Sequence, residues 1–195
     1  METPLILLPG LMCDGAVWSG TVAALGRAGP VQIADYGDAE SLPAMAERVL
    51  RDTPARFALA GHSMGGRVAF EILRRVPGRV AGLALLDTSY LPRAAGEAGL
   101  REERERMELV KLARAEGTRR MGERWVQGMV HPERLADRAL IEAILAMFAR
   151  KTAEIFAAQI RALLARPDAG PVLARVTCPT LVLCGREDGW SPPVR

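Results

Sequence analysis

The chain has 195 residues, 49% hydrophobic and 25% charged, enough for one domain with a substantial core. Its net charge of +3 is scattered with no basic run, and only 5% of residues are aromatic, which argues against a nucleic-acid surface. Three cysteines (Cys13, Cys178 and Cys184) have no disulfide-like spacing, nothing at the start reads as a signal peptide, and no run approaches about 18 apolar residues. The expectation is a reduced, cytoplasmic protein with no membrane span.

Residues 4–8 (Pro-Leu-Ile-Leu-Leu) read as a buried strand that stops at Pro9-Gly10. Residues 16–26 carry Val17, Trp18, Val22 and Leu25 as a helix would, Val31 to Ala34 is a second strand, and 41–51 is a helix with Leu42, Met45, Val49 and Leu50. A third strand at 56–60 runs into Gly61-His62-Ser63-Met64-Gly65-Gly66, followed by a helix to Val76 that Pro77-Gly78 stops. Val80 to Leu86 is the next strand and ends on Asp87. Nearly all-apolar strands alternating with helices predict an α/β fold: a mostly parallel sheet with helices on both faces.

From 92 to 170 the strand pattern disappears. Glu97 to Glu116 is helical and densely charged, Met121, Trp125 and Met129 step by four, and 133–149 and 151–165 read as two more helices. The Glu/Arg run at 101–108 reads as a solvated helix face with i,i+4 pairs. Residues 179–184 return to strand and deliver Asp188, and 189–195 begin another helix. The chain therefore divides into a core of 1–91 and 171–195, with a helical cap, 92–170, inserted before the last strand.

A Gly-x-Ser-x-Gly between a strand and a helix describes a nucleophile elbow: a tight turn that exposes a serine hydroxyl at the N-terminus of the following helix. In chain order, four features resemble the small, cap-bearing serine hydrolases (esterase- and lactonase-like) of the α/β-hydrolase superfamily. They are Pro9-Gly10-Leu11 followed by Asp14 and Trp18, the Gly61–Gly66 elbow, a helical insertion after the Asp87 strand, and the stretch from Cys178-Pro179-Thr180 to Glu187-Asp188.

The resemblance implies Ser63 as nucleophile, Asp188 as the acid that orients a histidine, and the backbone N–H groups of Leu11 and Met64 as an oxyanion hole. It implies no cofactor, no metal and a small-molecule ester-like substrate. It also implies a catalytic histidine after the acid strand, and none follows Asp188 within these 195 residues. Two expectations result. One is a serine hydrolase of a carboxylic ester, thioester or lactone, forming an acyl-enzyme on Ser63, of which these residues are an N-terminal fragment. The other is a truncated or degenerate hydrolase that binds a small ligand or a partner without catalysis.

Several residues admit a second role. Asp188 also suits a helix N-cap, and Asp87, at another strand end, is the alternative acid. His62 and His131 are the only histidines. The elbow turns His62 away from the serine hydroxyl, which makes it a packing or pocket-wall residue, and His131 reads as a surface-loop residue of the cap. Trp125 and Met129 are candidate pocket-lining residues whose spacing suits core packing equally well. Cys13 reads as a small buried residue beside the first-strand loop. Oligomeric state is not legible.

Overall fold

The computed structural model describes residues 3–26 and 29–191. Its centre is one sheet of five strands: β1 (Leu5–Leu8), β2 (Val31–Ile33), β3 (Phe57–His62), β4 (Val80–Leu86) and β5 (Thr180–Leu183). Their order is β2-β1-β3-β4-β5, and every neighbouring pair is parallel. Parallel neighbours need long crossovers, which α1 (Ser19–Leu25), α2 (Leu42–Arg51) and α3 (Met64–Arg75) supply. The expected α/β architecture is present.

Alternation along the strands divides the side chains between two faces. Ile6, Leu8, Phe57, Leu59, Leu83 and Leu85 pack with Met45 and Val49 of α2 and with Val68, Ala69 and Ile72 of α3. Leu5, Leu7, Ala60, Ala84 and Leu86 face the other way, onto Trp18 and Val22. Each fully buried leucine, isoleucine or phenylalanine is worth about 1.5–3 kcal/mol over an exposed one, so this two-sided burial fixes the strand register. β5 forms one edge, and its Val182 is 69% exposed.

Between β4 and β5 the chain builds α4 (Gly96–Glu116), α5 (Thr118–Trp125), α6 (Arg138–Ala149), α7 (Ala153–Leu164) and the single turn α8 (Gly170–Leu173). Trp125 joins three of them, stacking on Phe148 with ring centroids 5.4 Å apart and tilting against Phe156 at 5.9 Å. No helix among the described residues is long and apolar enough to cross a membrane.

Local chemistry moves several expected boundaries. The helix expected over 16–26 opens as a 3-10 turn at Gly15–Trp18, because the Asp14 carboxylate accepts the Ala16 N–H and caps it there. The helix expected over 133–149 is broken. A 3-10 turn occupies Pro132–Arg134, and α6 starts only after Asp137, whose carboxylate accepts the Leu140 N–H. β3 runs past Ala60 to His62, because Gly61 and His62 continue the ladder opposite Leu85 and Leu86. α3 ends at Arg75, one residue short of Val76. Of the helix expected from 189, residues 189–191 form bends, and 192–195 lie outside the described residues.

Candidate active site

Among the described residues, only Met12, Ser63 and Asp87 combine a side chain with a positive φ, at 61°, 52° and 47°. All three follow the C-terminal ends of strands (β1, β3 and β4), the edge at which open α/β sheets hold their ligands. Such conformations cost about 1–3 kcal/mol each and persist only where the surroundings enforce them.

At Ser63 the enforcement is visible. The Ser63 N–H donates to the Leu86 carbonyl (2.8 Å), and its own carbonyl accepts the Thr88 hydroxyl (2.7 Å) and the Gly66 N–H (3.0 Å). The flanking glycines are steric requirements. A Cβ on Gly61 would lie 2.6 Å from the Gly65 carbonyl oxygen, and one on Gly65 would overlap the carbonyl oxygen of Leu8. α3 starts at Met64 with no side-chain cap, so its first N–H groups and the positive end of its dipole lie at the serine.

Leu11 and Met12 are buried in the turn after β1, which the Cys13 N–H closes onto the Gly10 carbonyl (3.1 Å). The Tyr36 hydroxyl donates to the Pro9 carbonyl (3.0 Å). Among the described residues, neither the Leu11 nor the Met64 N–H has a hydrogen-bond acceptor. Burial and the neighbouring Asp14 push the Cys13 thiol up to about 12, so it stays protonated and is no nucleophile.

The two candidate acids meet. One carboxylate oxygen each of Asp87 and Asp188, together with the Cys184 sulfur, lie within 4.8 Å of one another. Asp87 accepts the Gly185 N–H (2.8 Å) and so braces the loop after β5. Asp188 Oδ1 accepts the N–H groups of both Trp190 (2.8 Å) and Ser191 (2.9 Å), the geometry of an N-cap. Desolvation and the two carboxylates raise the Cys184 thiol above its ordinary range.

His62 packs edge-on against Trp18, ring centroids 6.5 Å apart, and its Nδ1 is buried without a partner. Burial lowers its pKa against the opposing pull of Asp87 and Asp188, so the ring is neutral. His131 caps the Pro132–Arg134 turn through Nδ1 and lies 4.0 Å from Glu187. Trp125, Trp190, Leu109 and Gly128 border a cleft of about 360 Å³ whose other walls are charged (Arg104, Glu105, Glu108 and Arg124), and Ser63 is not among its lining residues. Met129 is partly exposed beyond the end of α5, and His62 lies apart at the elbow.

Sequence reasoning passed over three contacts that hold these pieces: Thr88 on the Ser63 carbonyl, Gln159 on the Met12 N–H (2.8 Å), and Arg150 on the Asp14 carboxylate (2.7 and 3.0 Å). Only Gln159 had a local signal, as a polar residue within the apolar run from Phe156 to Ile160.

The chain is similar to known proteins in sequence and in fold. The chain is 38% identical over 101 residues to the pimeloyl-[acyl-carrier protein] methyl ester esterase of Vibrio campbellii, a stretch covering 48% of this chain and 39% of that esterase. The chain thus spans well under half the length of this curated relative. A thermophilic esterase from Thermogutta terrifontis superposes with a TM-score of 0.84 at 27% identity, covering 98% of this chain and 74% of that one. The enol-lactonase of Burkholderia xenovorans LB400 has the same fold, with a TM-score of 0.81 at 22% identity over 100% of this chain and 76% of its own. The family model for the alpha/beta hydrolase family matches residues 5–195. The chain belongs to the alpha/beta hydrolase family.

Proposed function

We propose that the protein hydrolyses a carboxylic ester of a small acyl group through an acyl-enzyme on Ser63. The observation that carries this reading is the strained Ser63 backbone at the junction of β3 and α3, held by Leu86, Thr88 and Gly66. Ester chemistry is preferred to thioester or lactone chemistry because the Vibrio and Thermogutta relatives are both esterases.

In this reading Ser63 Oγ attacks the carbonyl carbon and gives its proton to a base. The N–H groups of Leu11 and Met64 receive the developing oxyanion, the alcohol leaves with a proton, and water releases the acid. Asp188 is the orienting acid, with Asp87 as the alternative. Neither histidine of the described residues hydrogen-bonds the Ser63 hydroxyl, so the proposal assigns the base to neither. Residues 92–170 act as a cap over the sheet.

The test is hydrolysis of short-chain p-nitrophenyl and methyl esters by the full-length protein, with mass spectrometry to trap the acyl group. Ser63→Ala should remove the acyl adduct and lower kcat by about 10⁴-fold or more. Asp188→Asn should lower kcat by several orders of magnitude and Asp87→Asn by far less; the reverse order moves the acid role to Asp87. An active Ser63→Ala protein refutes the nucleophile. A parent that cleaves no ester but is stabilised thermally by a small ligand supports the binding protein instead.

A further inference from the structure

The loop of residues 9–14 has no strand partner and only one internal turn, yet its shape is closely held. Two of its restraints come from across the chain. The Gln159 side-chain oxygen accepts the Met12 N–H (2.8 Å), and the Arg150 guanidinium grips the Asp14 carboxylate through Nε (2.7 Å) and Nη2 (3.0 Å). Gln159 is 2% exposed and lies on α7 beside buried Phe156 and Ile160. A buried amide on an apolar helix face costs stability unless its polar atoms are used. Its oxygen is used on the one residue of this loop with a strained backbone.

The Met12 N–H belongs to the peptide that joins Leu11 to Met12. Holding that N–H restrains ψ of Leu11 and φ of Met12, and so limits how the adjoining Gly10–Leu11 peptide, which carries the Leu11 N–H, can turn. Without an acceptor the buried N–H would be orphaned, at a cost of about 1–3 kcal/mol. Rotating the peptide to bring Met12 back to negative φ would relieve both the orphaned donor and the strain.

We propose that Gln159 is a positioning residue for the oxyanion hole: by holding the Met12 N–H it sets the direction of the Leu11 N–H and makes the hole depend on the seating of α7. This rests on the reading of Ser63 as nucleophile with Leu11 as a donor. Gln159 touches no substrate in this scheme. Its effect reaches the reaction through the loop, and the Arg150–Asp14 pair anchors the same loop at its far end.

The experiment compares Gln159→Met, Gln159→Glu and Ser63→Ala in the full-length protein. It measures kcat and KM on a p-nitrophenyl ester and the affinity for an alkyl trifluoromethyl ketone, which forms a tetrahedral adduct on the serine. Gln159→Met keeps size and removes the acceptor. It should lower kcat by about 10²-fold, the scale of one lost oxyanion donor, and weaken the ketone in parallel. KM should change by less than about threefold, since ground-state binding is untouched. Gln159→Glu keeps an acceptor oxygen and should recover most of the lost kcat at the low end of the pH range, where its buried carboxyl is protonated, and less as pH rises.

Gln159→Met with parental kcat overturns the proposal. So does a kcat loss with unchanged ketone affinity, the mark of a structural role alone. An inactive Ser63→Ala beside a fully active Gln159→Met would overturn this inference and leave the nucleophile standing. An active Ser63→Ala would overturn both.

Discussion

The sheet and the helical segment between β4 and β5 share one apolar core, but the segment adds a set of ion pairs to it. The sheet half is tied by apolar burial on two faces and by backbone approaches too close for a Cβ at Gly61 and Gly65. The helical segment joins the same apolar core through Val110, Met121, Phe148, Phe156 and Ile160, and adds ion pairs to it: Arg114 with Glu154, Arg119 with Glu142, and Glu102 with both Arg106 and Arg166. Close-packed apolar contacts are rigid and unforgiving, whereas exposed ion pairs are weak and screened by salt. The apolar core is common to both regions, and the ion pairs of the helical segment are therefore the part of its fastening that salt and pH can weaken.

The sharpest way to break this contrast is at the elbow. Gly65→Ala puts a methyl group into the Leu8 carbonyl and should destabilise the fold by about 3 kcal/mol or more in urea unfolding. A near-parental midpoint would mean that the sheet half yields more than its packing implies.

A smaller effect is expected where the segment's charges are partly enclosed. Desolvation would raise the Glu102 carboxyl, but the guanidiniums of Arg166 and Arg106 outweigh it and bring the group down to about 2. Because the folded value lies below the unfolded one, the stabilisation is fully present above about pH 4.3 and disappears as pH falls towards 2. Glu102→Gln should cost about 1 kcal/mol at neutral pH, discounted for partial exposure, and almost nothing near pH 2. Melting curves of parent and variant should converge over that interval; a constant offset would assign the loss to packing.

The smallest effect belongs to the outer surface. Arg119 and Glu142 make two hydrogen bonds of 2.9 and 2.7 Å, yet both side chains are largely solvated. Arg119→Ala should leave the melting temperature unchanged within error. A clear drop would show that the segment's ion pairs act as a network.

How much of this was legible in the sequence follows the distance over which each feature is decided. The elbow was legible because glycine, serine and glycine act within five residues, and the strands because their apolar runs are local. The break between Pro132 and Arg138 was hidden because apolar spacing runs through it while Asp137 decides where α6 begins. The Glu/Arg run at 101–108 gave its i,i+4 pair of Glu102 with Arg106, but not the grip of Arg166 on Glu102 across 64 residues. Gln159 stood out locally as a polar residue in an apolar run, but its partner Met12 lies 147 residues away and could not be read from that pattern. Asp87 and Asp188 each sit after a strand, and only folding brings them side by side.

The placement of the tryptophans has an optical consequence. The chain has three. Trp18 reports on the sheet half, since its ring meets His62 at the elbow. Trp125 and Trp190 face each other 5.6 Å apart, one from the helical segment and one two residues beyond Asp188. That pair is close enough for its near-ultraviolet transitions to couple, so its circular dichroism tracks the seating of the segment over the acid loop. The two halves thus carry separate, unlabelled chromophores, and light can follow one while the other serves as the internal standard.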